Sequence, residues 1–159
     1  MTRDGPPDTR VEAVYRSIHQ RLWRALVAFT MDREMASDAE AEAFAQVLRR
    51  GDAVLDVAAW VWRSAFAIAA AMLADRARQR PLAAVPEDVV EPEASAIDFD
   101  SLLCGLSGQQ RACVVLRYVG GMDAPAIATA LNTSAATVRV QLHRARAVLR
   151  GTLKEAHHG

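Results

Sequence analysis

Arg139, His143, Arg146 and Arg150 recur at spacings of four, three and four residues near the carboxyl end of this chain. That rhythm puts them in one stripe along an α-helix. A guanidinium can hold a guanine edge through two parallel hydrogen bonds or meet a phosphate as a charge, so the stripe suits duplex DNA. Val138, Leu142, Ala145 and Leu149 repeat the same spacing one residue earlier. They form an apolar stripe turned roughly 100° from the first. The spacing therefore predicts one helix with a buried inner face and a cationic outer face. On the arginines alone, a solvated helix of an ordinary all-α protein remains an alternative.

The elements that must position this helix lie just upstream. Ile127 and Leu131 sit four apart on a preceding helix, Asn132 can take the left-handed conformation a tight turn needs, and Ser134 can cap the second helix. Residues 122–150 thus read as a helix-turn-helix, whose second helix lies in the major groove with its outer face on the bases. Charge agrees with this. The 159-residue chain has no formal net charge, but residues 101–154 carry seven basic residues against the single acid Asp123, a net +6. Residues 81–100 carry six acids and no Lys or Arg. The carboxyl-terminal part has the footprint of a polyanion binder, and the acidic stretch marks a boundary before it.

At 52% hydrophobic residues the chain can bury a core. Thr9 with Glu12 suggests a capping box, followed by Val11, Val14, Ile18, Leu22, Leu26 and Phe29 on one face of a helix to about Thr30. Asp32 can cap a second helix lined by Met35, Ala39, Ala43 and Val47 and ended by Gly51. A third helix starts near Asp56 and must stop by Pro81; lacking any polar residue over 65–74, it is expected to be the central helix that the first two wrap. Residues 81–96, rich in Pro, Glu, Val and Ala, read as an extended linker. Beyond it, Leu102, Leu103 and Leu106 suggest a short helix, and Ser107 with Gln110 a capping box opening a helix through Val119. The expected fold is all-α: a helical domain over 10–80, an acidic linker over 81–100, and a helix-turn-helix domain over 101–154.

Enzyme chemistry finds no support in the sequence, which has no nucleophile paired with a base, no metal-ligand spacing and no Gly-rich phosphate loop. No cofactor or metal is expected. Cys104 and Cys113 lack CxxC or Cys/His ligand spacing and read as core thiols. The amino-terminal ten residues have no apolar run of a secretory signal. Residues 57–74 are the only membrane candidate, but Arg63, Ser64 and the many alanines favour a buried helix. A cytoplasmic protein without membrane insertion is the expectation.

Residues 106–150, LSGQQRACVVLRYVGGMDAPAIATALNTSAATVRVQLHRARAVLR, resemble the second DNA-binding domain of extracytoplasmic-function sigma factors. Gln110 and Arg111, Leu116 to Tyr118, Ile127 and Ala128, Thr137 to Arg139, and Arg144 to Arg146 with Leu149 carry the likeness. The resemblance implies a domain that reads the promoter's minus-thirty-five element. It assigns that contact to Thr137, Arg139, His143, Arg144 and Arg146, and the stripe adds Arg150. A looser likeness covers the stretch from Arg21, where Asp38, Glu42 and Phe44 match residues that contact the clamp of core RNA polymerase, with Ala41 in place of a glutamine. Asp38 and Glu42, four apart on a helix, share a face suited to basic residues across an interface.

The third helix departs further from the family. Trp60 and Arg63 resemble its Trp-Leu-x-Arg segment, yet Phe66, Ala67 and Ala71 stand where polar residues usually follow. Minus-ten recognition is thereby assigned to Trp60 and Arg63, with Arg76 and Arg78 as phosphate contacts. The resemblance implies a transcription initiation factor with core RNA polymerase and promoter DNA as partners, and an anti-sigma factor as a further one. Its acidic linker could fold back on the basic domain and weaken DNA binding before polymerase is engaged. Two rivals stand beside this reading: a helix-turn-helix regulator acting without polymerase, which leaves Asp38, Glu42 and Phe44 unused, and a sigma-like interaction module that has lost promoter melting.

Overall fold

The computed structural model describes residues 7–79 and 99–158, and over these it contains seven α-helices and one short 3-10 turn. Of the expected linker at 81–100, residues 81–98 lie outside the described residues, as does Arg80, while Phe99 and Asp100 belong to a helix rather than to the linker. Helix α1 spans Pro7–Thr30. It starts before the expected capping box, so Thr9 lies inside the first turn and Glu12 pairs with Arg16 one turn on instead. Proline tolerates this position because the first helical amides have no intrahelical partner to lose. Met31, in the left-handed region at φ 58°, turns the chain, and the buried Thr30 hydroxyl donates to the Leu26 carbonyl at 2.8 Å.

Helix α2, Arg33–Arg50, is capped by Asp32, whose carboxylate accepts from the Met35 amide at 3.0 Å, and it ends at Gly51 with φ 56°. Helix α3 spans Val57–Gln79. The three pack mutually, with Leu22, Leu26, Ala39, Ala43, Val47, Val61, Ala65, Phe66 and Ala69 buried between them. Each large aliphatic or aromatic side chain so removed from water contributes about 1.5–3 kcal/mol. The expectation of a central α3 wrapped by the others is corrected here: Ala67, Ala70, Ala71 and Ala74 are exposed. Alanine is the best helix former and exposes little apolar surface, so an unbroken apolar run need not be an enclosed one. By length and composition α3 could cross a membrane, but a third of its most apolar window is packed in the core.

The carboxyl-terminal unit comprises α4 (Phe99–Cys104), α5 (Gly108–Tyr118), α6 (Ala124–Leu131) and α7 (Ala135–His158). Ser107 and Gln110 form the reciprocal capping box of α5. Leu103, Leu106, Val115, Leu116, Ile127, Val138, Leu142 and Ala145 make its core. Of the two thiols expected in the core, Cys113 is buried but Cys104 is exposed, because it ends the short α4; both are free. Burial pushes the Cys113 thiol up from its ordinary range.

The two units touch. Helix α6 lies against α3, and α5 reaches the end of α1. There the Arg111 Nε donates to the Phe29 carbonyl at 2.8 Å, with its guanidinium 5.7 Å from the Phe29 ring centre.

Candidate functional site

Three local devices present the second helix of the helix-turn-helix. Asp123 caps α6 by accepting from the Ala126 amide at 2.9 Å. Asn132 adopts φ 54° and ψ 51°, the left-handed conformation that turns the chain out of α6. The Ser134 hydroxyl accepts from the Thr137 amide at 3.1 Å and so starts α7. Val138, Leu142 and Ala145 then point into the core, which leaves the next stripe outside.

Arg139, His143, Arg144, Arg146 and Arg150 are all exposed, and Thr137 is half-buried at the start of the helix. From Arg139 to Arg150 the ridge extends roughly 16 Å at 1.5 Å per residue. Among the described residues, Arg139, His143, Arg144 and Arg150 make no side-chain hydrogen bond or ion pair. Arg146 differs: its Nε donates to the Tyr118 hydroxyl at 3.3 Å, which ties it back to the end of α5. The Thr137 hydroxyl is likewise engaged, with Ser134 at 2.8 Å. Four cationic or titratable side chains therefore face solvent without an internal partner, an arrangement that a polyanion can complete.

The amino-terminal candidates are arranged less uniformly. Asp38 and Glu42 are exposed on α2, but Glu42 accepts from Gln46 at 3.1 Å and Arg49 at 3.0 Å, and these bonds hold its carboxyl below the usual range. Phe44 is only 8% exposed and meets the Tyr15 ring edge-on at 5.1 Å. It supports the face rather than projecting from it.

On α3 the four candidates are not brought together. Trp60 is half-buried under the Arg50 guanidinium, 5.4 Å from its ring centre. Arg63 reaches the Asn132 side chain at 3.5 Å, across the junction between the units. Arg76 pairs with Asp32 at 3.1 Å, and Arg78 pairs with Asp75. Helical geometry sets Arg78 roughly 27 Å from Trp60 along the axis and turns Arg76 about 160° away from it. A single nucleotide could not touch all four.

Sequence reasoning missed the junction itself. Phe66, Ala67 and Ala70 of α3 face Ala130 and Leu131 of α6 across a gap of about 210 Å³. A second gap of about 310 Å³ lies between Phe29, Leu73, Gln109 and Ala112. The signal was present: small apolar residues at positions where a solvent-facing stripe would be polar.

Comparison with known proteins fits this architecture. Residues 97–149 match the family model described as Sigma-70, region 4. The matched residues coincide with the helix-turn-helix and its cationic ridge, so this stretch of the chain is similar to sigma-70 region 4. Among solved structures, CnrH in complex with the cytosolic domain of CnrY is similar at 20% identity and TM-score 0.68, over 93% of this chain and 90% of that one. The sigma factor RpoE in complex with the anti-sigma factor NepR, from Bartonella quintana, is similar at 18% identity and TM-score 0.69, over 92% of this chain and 96% of that one. At these identities the likeness is one of fold, and it takes in both helical units around region 4. No curated protein matches the chain.

Proposed function

We propose that this chain is a transcription initiation factor of the extracytoplasmic-function group, which binds core RNA polymerase and directs it to specific promoters. The observation that carries the reading is the exposed cationic ridge of α7 on a helix-turn-helix that matches sigma-70 region 4. Arg139 and Arg144, with Thr137, His143 and Arg146, read the minus-thirty-five element, and Arg150 holds a phosphate. Asp38 and Glu42 meet the polymerase clamp, supported from beneath by Phe44. Trp60 and Arg63, with Arg76 and Arg78, serve the minus-ten element once α6 has moved off α3. The factor supplies recognition while polymerase, in the cytoplasm, supplies the chemistry. Since the similar RpoE was solved with an anti-sigma factor, a regulator of that kind is proposed for this chain too.

Run-off transcription with purified core polymerase on genomic fragments tests the proposal. Specific transcripts that need this chain support it, and their absence together with no binding to polymerase refutes it. A second reading, a sigma-like module without melting activity, is favoured by Ala67 and Ala71 on α3 and by the internal partners of Arg63, Arg76 and Arg78. Templates opened in advance at the minus-ten region separate the two, because only a melting-deficient factor would require them.

A further inference from the structure

Tyr118 is the last residue of α5 and is 58% exposed, so its ring adds little to the core. Its place is nonetheless fixed. The preceding Val115 and Leu116 are buried, and their carbonyls accept from the Gly120 amide at 3.0 Å and the Met122 amide at 3.1 Å, which locks the chain as it leaves the helix. Arg117 secures the same turn by donating from Nη1 to the Met122 carbonyl at 3.1 Å. Helix α7 packs against α5 with Leu142 and Ala145 buried. The next residue, Arg146, donates from its Nε to the Tyr118 hydroxyl at 3.3 Å.

We infer that Tyr118 is a positioning residue for minus-thirty-five recognition: its hydroxyl holds Arg146 so that the terminal edge of the guanidinium stays free for a guanine. This role rests on the reading of α7 as the DNA-facing helix and adds to it a residue outside the ridge. A guanidinium carries one N–H at Nε and two at each terminal nitrogen. Engaging Nε leaves the edge formed by Nη1 and Nη2 whole, and that edge presents two parallel donors that match guanine O6 and N7. Among the described residues, Arg139, Arg144 and Arg150 have no such tether, so each must be ordered as it meets DNA. Arg146 is ordered in advance and loses less rotamer freedom on binding. A phosphate can be met as a charge from many directions, whereas a base edge needs two donors held in one plane, so a tether of this kind serves reading rather than general attraction.

Binding of the full chain is measured by fluorescence anisotropy on two duplexes, one enriched from a random-sequence library by the wild type and one with the same bases scrambled. Tyr118→Phe, which removes only the hydroxyl, should weaken binding to the enriched duplex about three- to tenfold, the range set by ordering one long side chain, and change binding to the scrambled duplex by less than about twofold. A merely structural role would lower both together. In an Arg146→Ala background the same change should have no further effect, because the bond it removes is already gone. NMR of the free protein should show the Arg146 Nε–H resonance, assigned by its loss in Arg146→Ala, shifting in Tyr118→Phe. Equal binding by wild type and Tyr118→Phe, an equal loss on both duplexes, an undiminished effect in the Arg146→Ala background, or an unmoved resonance overturns the assignment of Tyr118 and leaves the promoter reading standing. A wild type that enriches no duplex refutes that reading and the role of Tyr118 with it.

Discussion

Replacing Arg111 with alanine should part the two helical units. Phe29 lies in the last turn of α1, where carbonyls have no intrahelical donor, and Arg111 caps one of them from the other unit at 2.8 Å. A hydrogen bond from a charged donor contributes about 1.5–3 kcal/mol. The guanidinium over the Phe29 ring adds about 0.5–1 kcal/mol at a partly exposed site. Because the freed carbonyl and guanidinium regain water when the units separate, the lower end applies, about 2 kcal/mol, or roughly thirtyfold in the ratio of closed to open forms. The rest of the junction is apolar packing of α6 on α3 around two gaps, with one long Arg63–Asn132 contact, so Arg111 supplies its short charged hydrogen bond.

Energy transfer between dyes on exposed Cys104 and on a cysteine introduced at exposed Leu48 reads this distance directly, while buried Cys113 stays unlabelled. The wild type should show one short distance and Arg111→Ala a broad, longer distribution, with Arg111→Lys between them. Identical distributions in wild type and Arg111→Ala, or a wild type that is already separated, would refute the reasoning.

Arg139→Ala should cost about 1–3 kcal/mol on a cognate promoter and relax specificity there, whereas Arg150→Ala should weaken binding on all sequences and reduce the salt dependence by about one unit. Identical behaviour of the two on every DNA, measured by fluorescence anisotropy, removes the division into reading and positioning residues. Asp38→Arg should reduce association with core polymerase in pull-down while leaving duplex binding by the full chain unchanged; equal association refutes its place at the clamp.

Glu40 binds its proton more tightly when folded than when unfolded, so its ionisation withdraws stability as pH rises above about 4.5, the unperturbed value. Glu40→Gln should flatten that part of the stability profile in urea titrations relative to wild type; parallel profiles would contradict the cost of burying the charge. Gly120→Ala would bring a Cβ within 2.7 Å of the Leu116 carbonyl oxygen, forcing the end of α5 to shift. A loss of about 1–3 kcal/mol is expected from such overpacking, read as a lower denaturant midpoint.

Local rules were enough for every element whose ends are specified by its own residues. Asp32, Ser107, Asn132 and Ser134 each act within four residues of their own position, so their caps and turn are legible in one dimension. The two stripes of α7 are legible for the same reason: helical periodicity assigns Val138, Leu142 and Ala145 to the core and leaves the arginines outside. The family's pattern of residues added what periodicity could not, namely the likeness of this stretch to sigma-70 region 4.

What the chain does between distant segments was decided only in three dimensions. Nothing near Arg111 indicates that its partner is a carbonyl 82 residues away, and nothing near Glu40 points to His19 on another helix. Burial likewise depends on neighbours that periodicity does not see: Phe44 was expected at an interface but is buried, and Ala67 and Ala70 of α3 were expected inside but face a gap. Short-range hydrogen bonds and apolar spacing are properties of a segment, whereas charge pairing, clefts and docking are properties of which faces meet once the helices have packed.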